Sequence, residues 1–304
     1  MAQDSERRLA FGLAAEEYDL VRPGYPAALV DAVLSHCGGT GITAVEAGAG
    51  TGKATRAFAA RGLRIAAVEP DPAMAGILAA SCTGYPGVSV VVGGFEGYVP
   101  AEPCGLLFSA QAWHWIDPAV RWDRAAAVLA VGGSLALFWN FDRIIDYAVQ
   151  DGVTQAHRDL TPHISWDTAP VPEDGLLDRW PATDIAGLAA FTGLEARLYR
   201  WERVLSRRQY VQYLATHSPY LILDATTRDE LFAQIASILP ARIPLAEDTV
   251  LYLARRAAAS APPASAIDRG APGARPRANT ASPAVTGRAI PDLGSIGPAA
   301  GRSR

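Results

Sequence analysis

The stretch from Ile42 to Asn140 constrains this chain most, because short apolar runs there are separated by segments of helical spacing. "ITAVEAG" runs into a glycine loop, "KATRAFAARG" has helical spacing and stops at Gly62, and "LRIAAVEP" is a second run that Pro70 ends. "DPAMAGILAASC" opens with Asp71, a side chain that caps helix N–H groups, followed by Pro72, whose fixed φ suits a first helical turn. "VSVVVGG", "GLLFSAQ" and "SLALFWN" supply three more runs, and "DPAVRWDRAAAVLAVGG" reads as another capped helix. These runs do not alternate apolar with polar residues, which is the pattern of strands covered on both faces. Strand, helix and strand in that order require right-handed crossovers and a parallel sheet with helices on both sides.

After Asn140 the alternation breaks. "RIIDYAVQDGVTQAHRDL" has helical spacing, the Trp- and Pro-containing stretch 161–184 is irregular, and "LEARLYRWERVL" and "DTVLYLARR" read as strands around two capped helices, "SRRQYVQYLATHS" and "TRDELFAQIASIL". The expected fold class is α/β: a Rossmann-like, doubly wound, seven-stranded and mostly parallel sheet with an antiparallel last strand and a helical lid or insertion. The expected parts are an N-terminal arm and helix over residues 1–40, a main domain over 41–256 with the lid at about 141–190, and a tail over 257–304. That tail holds 14 Ala, 7 Pro and 6 Arg against 2 Asp and no aromatic residue. Such a stretch cannot bury enough apolar surface to offset its ordering entropy, so disorder is expected there.

Charge and cysteine usage narrow the partners. A formal net charge of -4 gives no general attraction to phosphate backbones or anionic lipid, so neither nucleic acid nor membrane is an expected partner. Cys37, Cys82 and Cys104 stand apart without metal-ligand spacing, which suits a reducing compartment and suggests neither a zinc site nor a disulfide framework. No metal is expected. The N-terminus carries acids throughout and no apolar run of signal length, so a cytoplasmic location is expected.

Ligands of doubly wound sheets sit beyond the carboxyl ends of the strands, which is where the loop "VEAGAGTGKAT" falls. Three ligands compete for it. A triphosphate loop would carry GxxxxGK[ST], and the adjacent Lys53 is the only lysine in the chain; yet Ala47 stands where the first glycine belongs and Ala54 where a hydroxyl must meet magnesium. A dinucleotide loop would carry a third glycine where Lys53 stands. The pattern for S-adenosylmethionine fits at every position: Glu46, Gly48, Gly50 and Gly52 form ExGxGxG, and Glu69 ends the second run 17 residues after Gly52.

On these residues the sequence resembles the class I S-adenosylmethionine-dependent methyltransferase family, of the small-molecule type. The resemblance continues through "VGGFEGY", "AQAWHWID", "VGGSLALFWN" and the N-terminal "YDLVRPGYP", and it spans about residues 8–256. It implies that the backbone at Gly48, Gly50 and Gly52 lies against the cofactor, that Glu46 organises the loop or meets the cofactor, and that the Glu69 carboxylate accepts hydrogen bonds from both ribose hydroxyls. Phe95 and Glu96 correspond to the adenine segment, Gln111 opens the segment after the fourth strand, and Tyr18 and Arg22 lie on an arm that covers the cofactor in relatives. The implied reaction is in-line transfer of a methyl group to a small-molecule acceptor at an oxygen, nitrogen, carbon or carboxylate. His114, beside Trp113 and Trp115 at the pocket rim, is the candidate base for a hydroxyl or amine acceptor, since histidine titrates near neutrality. A carboxylate acceptor needs no base. The tetrads NPPY and DPPY of amino-directed nucleic-acid methyltransferases are absent. The alternative reading is a catalytically inactive protein of the same fold that binds the cofactor or S-adenosylhomocysteine as a sensor or partner.

Overall fold

The computed structural model describes residues 15–164 and 169–258. The first 14 residues of the expected arm and the expected tail beyond Ala258 therefore lie outside the described residues. The chain enters through two helices, α1 (Ala15–Val21) and α2 (Ala27–His36). It then alternates through β1 (Thr43–Ala47), α3 (Lys53–Ala59), β2 (Arg64–Glu69), α4 (Pro72–Ser81), β3 (Val88–Val92), β4 (Cys104–Ala110), α5 (Arg121–Val128) and β5 (Leu129–Ile144). The second half comprises α6 (Tyr147–Leu160), α7 (Ala182–Ala186), β6 (Phe191–Ser206), α8 (Arg207–Ala215), α9 (Ser218–Leu221), α10 (Ala225–Ile238) and β7 (Arg242–Arg256).

Seven strands form one sheet in the order β3-β2-β1-β4-β5-β7-β6. Strands β1 to β5 pair in parallel, while β7 runs antiparallel to both β5 and β6. The expected α/β class, the strand total and the antiparallel last strand are all present. Local chemistry explains several boundaries. Asp71 accepts hydrogen bonds from the amides of Ala73 and Met74 at 2.8 and 3.1 Å and so starts α4. Asp146 does the same for α6, and Ser206 with Gln209 forms a capping box at the start of α8.

Apolar residues on the two sheet faces bury different layers. Leu135, Leu137 and Trp139 of β5 face a core built with Trp113, Val128 and Ile185, while Ala136 and Phe138 face the opposite core with Leu29, Phe58 and Leu78. Period-two orientation along the strand makes this division. The fifth strand extends to Ile144, beyond the expected Asn140, because β7 pairs with it that far. The cap over the carboxyl end also differs from a single insertion. Val153 and Ala156 of α6 pack with Tyr213 and Leu214 of α8 and Leu231 and Ile235 of α10 in a third core. The apolar stripe of α6 needs that partner, which comes from a segment 50 residues or more downstream. Among the described residues no helix is long and apolar enough to cross a membrane.

Candidate functional site

The loop after β1 is shaped by glycine. Gly48, Gly50 and Gly52 have φ of 72°, 57° and 89°, the left-handed region that other residues enter at a cost. A β-carbon on Gly48 would lie 2.4 Å from Cβ of Ala112, and one on Gly52 would lie 2.5 Å from Cδ1 of Leu78. These two glycines let the loop close on the segment after β4 and on α4. At Gly50 a β-carbon would meet nothing nearer than Sδ of Met74 at 3.9 Å, so the backbone stays approachable there. The amides of Gly48 and Ala49 donate to the carbonyl of Val68 at 2.9 and 3.1 Å, which fixes the loop to the end of β2.

Two acids stand beside the loop in different environments. The Glu69 carboxylate accepts from the amide of Gly50 at 2.7 Å and from the amide of Asp71 at 2.9 Å. A carboxylate has about four lone-pair sites, so these two bonds do not exhaust its acceptor capacity. Glu46 is fully buried; its Oε2 accepts from the Thr55 hydroxyl at 2.5 Å, and its Oε1 has no hydrogen-bond partner among the described residues. Burial pushes its carboxyl up to about 8, and the charge of Glu69 pushes the same way against the bond from Thr55.

The arm helix α1 lies across the loop. Asp19 accepts from the Thr51 hydroxyl and from Nη2 of Arg56, both at 2.8 Å, and Arg56 also donates to the Thr51 carbonyl at 2.9 Å. Arg22 points the other way: it donates to the hydroxyl and carbonyl of Thr216 at 2.9 and 2.8 Å, and its guanidinium stacks on the rings of Tyr18 and Tyr213. Phe95 is buried with its ring 5.7 Å from that of Trp113, and Oε1 of Glu96 accepts from the amide of Asp117 at 3.3 Å.

Past β4, Gln111 holds a φ of 58°, the one non-glycine residue with positive φ among the described residues. Its side chain donates to the carbonyl of Asn140 at 3.2 Å and accepts from the same residue's amide at 3.3 Å. Outliers of this kind collect at functional sites, where the surroundings hold them in place. Asn140 in turn donates to the carbonyl of Gly24, drawing the arm to β5 just past the point where its pairing with β4 ends. His114 accepts at Nδ1 from the indole N–H of Trp139 at 3.3 Å. An indole nitrogen only donates, so this neutral ring carries its proton on Nε2. Burial lowers the ring to about 3, and the charge of Arg121 adds to the effect.

The site residues chosen from sequence lie at or just after the carboxyl ends of β1, β2, β3 and β4, apart from Tyr18 on α1 and Arg22 just after it, whose guanidinium is engaged by the cap. Sequence reasoning missed Asp19, Asn140 and Trp139. Asn140 and Trp139 close the apolar run "SLALFWN", and that position at a strand end was their only signal. Beside Trp139 lies a small cavity between the sheet and the strip 171–180, lined by Trp180, Tyr252 and Arg179 among others. Among the described residues no group of three or more His, Cys, Asp or Glu is arranged to hold a metal ion.

Comparison with known proteins agrees with this geometry. A methyltransferase domain family matches residues 45–137, which run from the glycine loop to β5. An uncharacterized methyltransferase of Mycobacterium tuberculosis is 29% identical over 247 residues, covering 81% of this chain and 91% of the relative, and one of Mycobacterium bovis matches to the same extent. A solved structure from Anaeromyxobacter dehalogenans, described as a type II methyltransferase, superposes with a TM-score of 0.57 at 24% identity, covering 77% of this chain and 97% of that one, and so shares the fold.

Proposed function

Because the chain belongs to the class I S-adenosylmethionine-dependent methyltransferase family, we propose that it transfers a methyl group to a small-molecule acceptor by in-line displacement. The observation that carries this reading is the joining of the open backbone at Gly50 to the carboxylate of Glu69. S-adenosylmethionine is the cofactor, and the residues present suit it. The glycine loop leaves backbone approachable at Gly50, and Glu69 supplies two oxygens to a vicinal diol through charge-assisted hydrogen bonds. Bound there, the cofactor supplies an electrophilic methyl group on a sulfonium, a good leaving group.

With such a leaving group, positioning and exclusion of water can supply much of the acceleration. The arm helix and the helical cap enclose the carboxyl end of the sheet, and Asn140 ties the arm to β5. Tyr18, Phe95, Glu96 and Gln111 line the cofactor side in this reading, with Glu46 shaping the loop from beneath. His114 serves as a hydrogen-bond donor through Nε2, because its other nitrogen accepts from Trp139 and its basicity is low. That role differs from the proton acceptor suggested by the sequence.

Calorimetry tests the cofactor, and a transfer assay tests the reaction. S-adenosylmethionine and S-adenosylhomocysteine should bind without magnesium, and ATP and NAD should bind far more weakly. Labelled methyl from the cofactor should appear in the small-molecule fraction of a cell extract. Tighter binding of ATP or NAD would overturn the cofactor site, and tight cofactor binding with label in no acceptor fraction would favour a binding protein over an enzyme.

A further inference from the structure

We propose that the cavity between Trp139, Trp180 and Tyr252 is the acceptor pocket, and that it selects a flat apolar molecule bearing a negative group held by Arg179. An aromatic carboxylic acid is the simplest member of that class. The inference rests on the methyl-transfer reading above and adds to it the chemical class of the acceptor.

Position is the first argument. Trp139 follows Phe138, which pairs with Ala110 at the carboxyl end of β4, and its indole N–H reaches His114. The ring that steadies His114 also forms a wall of the cavity. The cavity and His114, on the segment after β4, thus share the Trp139 ring.

Shape is the second argument. Phe141, Trp139, Trp180 and Tyr252 contribute aromatic surface, and aliphatic side chains fill most of the rest. Trp139 meets Trp180 edge to face with ring centroids 5.4 Å apart, and meets Tyr252 in the same manner at 6.2 Å. Flat apolar ligands suit such walls. The outer wall is held in place before any ligand arrives. The indole N–H of Trp180 donates to Asp184 at 3.1 Å, and Arg121 reaches the same carboxylate at 3.3 Å while its guanidinium stacks on Trp180. The strip is pinned again where the amide of Val171 donates to Asp248 at 2.9 Å.

Charge is the third argument. Among the described residues no acidic side chain lines the cavity, and Arg179 does. Arg121, which stacks on Trp180 without being a lining residue, pairs through Nη2 with Asp184, whereas the Arg179 guanidinium makes no hydrogen bond or ion pair among the described residues. Five donors on a planar fork beside apolar walls match a carboxylate, which can accept two of them in parallel. A cation would meet Arg179 with no compensating acid among the described lining residues. Arg179 and Trp180 are half-buried, so the cavity reaches solvent past them.

The test uses the protein saturated with S-adenosylhomocysteine, after calorimetry has measured that binding by itself. Benzoate, benzyl alcohol and benzylammonium are titrated in turn and followed by tryptophan fluorescence and saturation-transfer NMR. Benzoate should bind at least about 10-fold more tightly than the other two. Arg179→Gln should remove that preference while leaving benzyl alcohol binding unchanged, and Arg179→Lys should restore part of it. Trp180→Ala should weaken binding of all three. Equal binding of benzoate and benzyl alcohol by the wild type, no binding of either, or a preference that survives Arg179→Gln overturns the pocket assignment. Failure of the wild type to bind S-adenosylhomocysteine at all overturns the underlying methyl-transfer reading, and the two failures are thereby distinguished.

Discussion

Glu69 and Gly50 form one unit: the carboxylate at the end of β2 accepts the loop amide at 2.7 Å, while its other oxygen accepts the amide of Asp71 at 2.9 Å. The acid that meets the ribose in the proposed function also holds the backbone that the cofactor approaches. Glu69→Ala should therefore weaken S-adenosylhomocysteine binding by roughly 10- to 100-fold and also lower the melting temperature, since a loop amide loses its partner. Calorimetry and thermal unfolding measure the two effects. A binding loss with an unchanged melting temperature would show that the carboxylate does not hold the loop.

Gly48 and Gly50 should respond differently to alanine. At Gly48 the added carbon collides with Ala112 in a left-handed conformation, so Gly48→Ala should cost at least about 1–3 kcal/mol of stability and disturb the loop. Gly50→Ala carries the backbone cost, about 1–2 kcal/mol, without the collision. Its larger effect should fall on cofactor binding. Urea midpoints and calorimetry of the two variants separate these outcomes.

Glu46 predicts a pH dependence of stability. Its carboxyl titrates at about 8 in the fold against an ordinary 4.5, so between those values the folded state keeps a proton that the unfolded chain has released. Folding is then favoured below pH 4.5, and the contribution is lost as pH rises towards 8. Glu46→Gln should flatten that slope and stabilise the protein relative to wild type at pH 8 by on the order of 1–3 kcal/mol, with little difference at pH 5. Glu247 is also raised to about 8 by burial, but it is present in both proteins, so the difference between urea midpoints isolates Glu46.

His114 should not behave as a general base. The rate should show no histidine inflection between about pH 5.5 and 7.5, because the ring titrates near 3. His114→Ala should leave S-adenosylhomocysteine binding intact and lower turnover by less than about 10-fold, whereas loss of a base typically costs 10²–10⁴. Trp139→Phe removes the donor to Nδ1 and should shift the ring's titration upward, which NMR can follow. A loss above 10² accompanied by an inflection near neutrality would restore the base assignment.

The parts legible in the sequence were those written in local pattern. The apolar runs gave the strands, ExGxGxG gave the loop, Glu69 stood where β2 ends, and Asp71 and Ser206 announced their helices. What escaped depends on partners distant in the chain. Arg121 has the look of a surface residue on a charged helix, yet it is 4% exposed because Asp184 and two tryptophans enclose it. Nothing local ties Asp19 to Arg56 or Asn140 to Gly24. Nor does a period of two reveal that β7 enters between β5 and β6, since that order is set by packing across the sheet. The basicity of His114 was illegible for the same reason: it follows from burial and from the charge of Arg121, which no spacing announces.

The C-terminal end of the arm helix α1 is fastened on two sides. Asp19 is bonded to Thr51 and Arg56 at the glycine loop, while Arg203 donates to the carbonyl of Val21 at 2.8 Å and Arg22 grips Thr216 on the cap. The segment Asp19–Arg22 thus works as a tie-rod from the cap to the glycine loop, and a displacement of the cap pulls on the cradle beneath it. Admission of one reactant and discharge of the other become mechanically linked, so the amides of Gly50 and Thr216 should exchange their hydrogens with solvent in a single concerted opening.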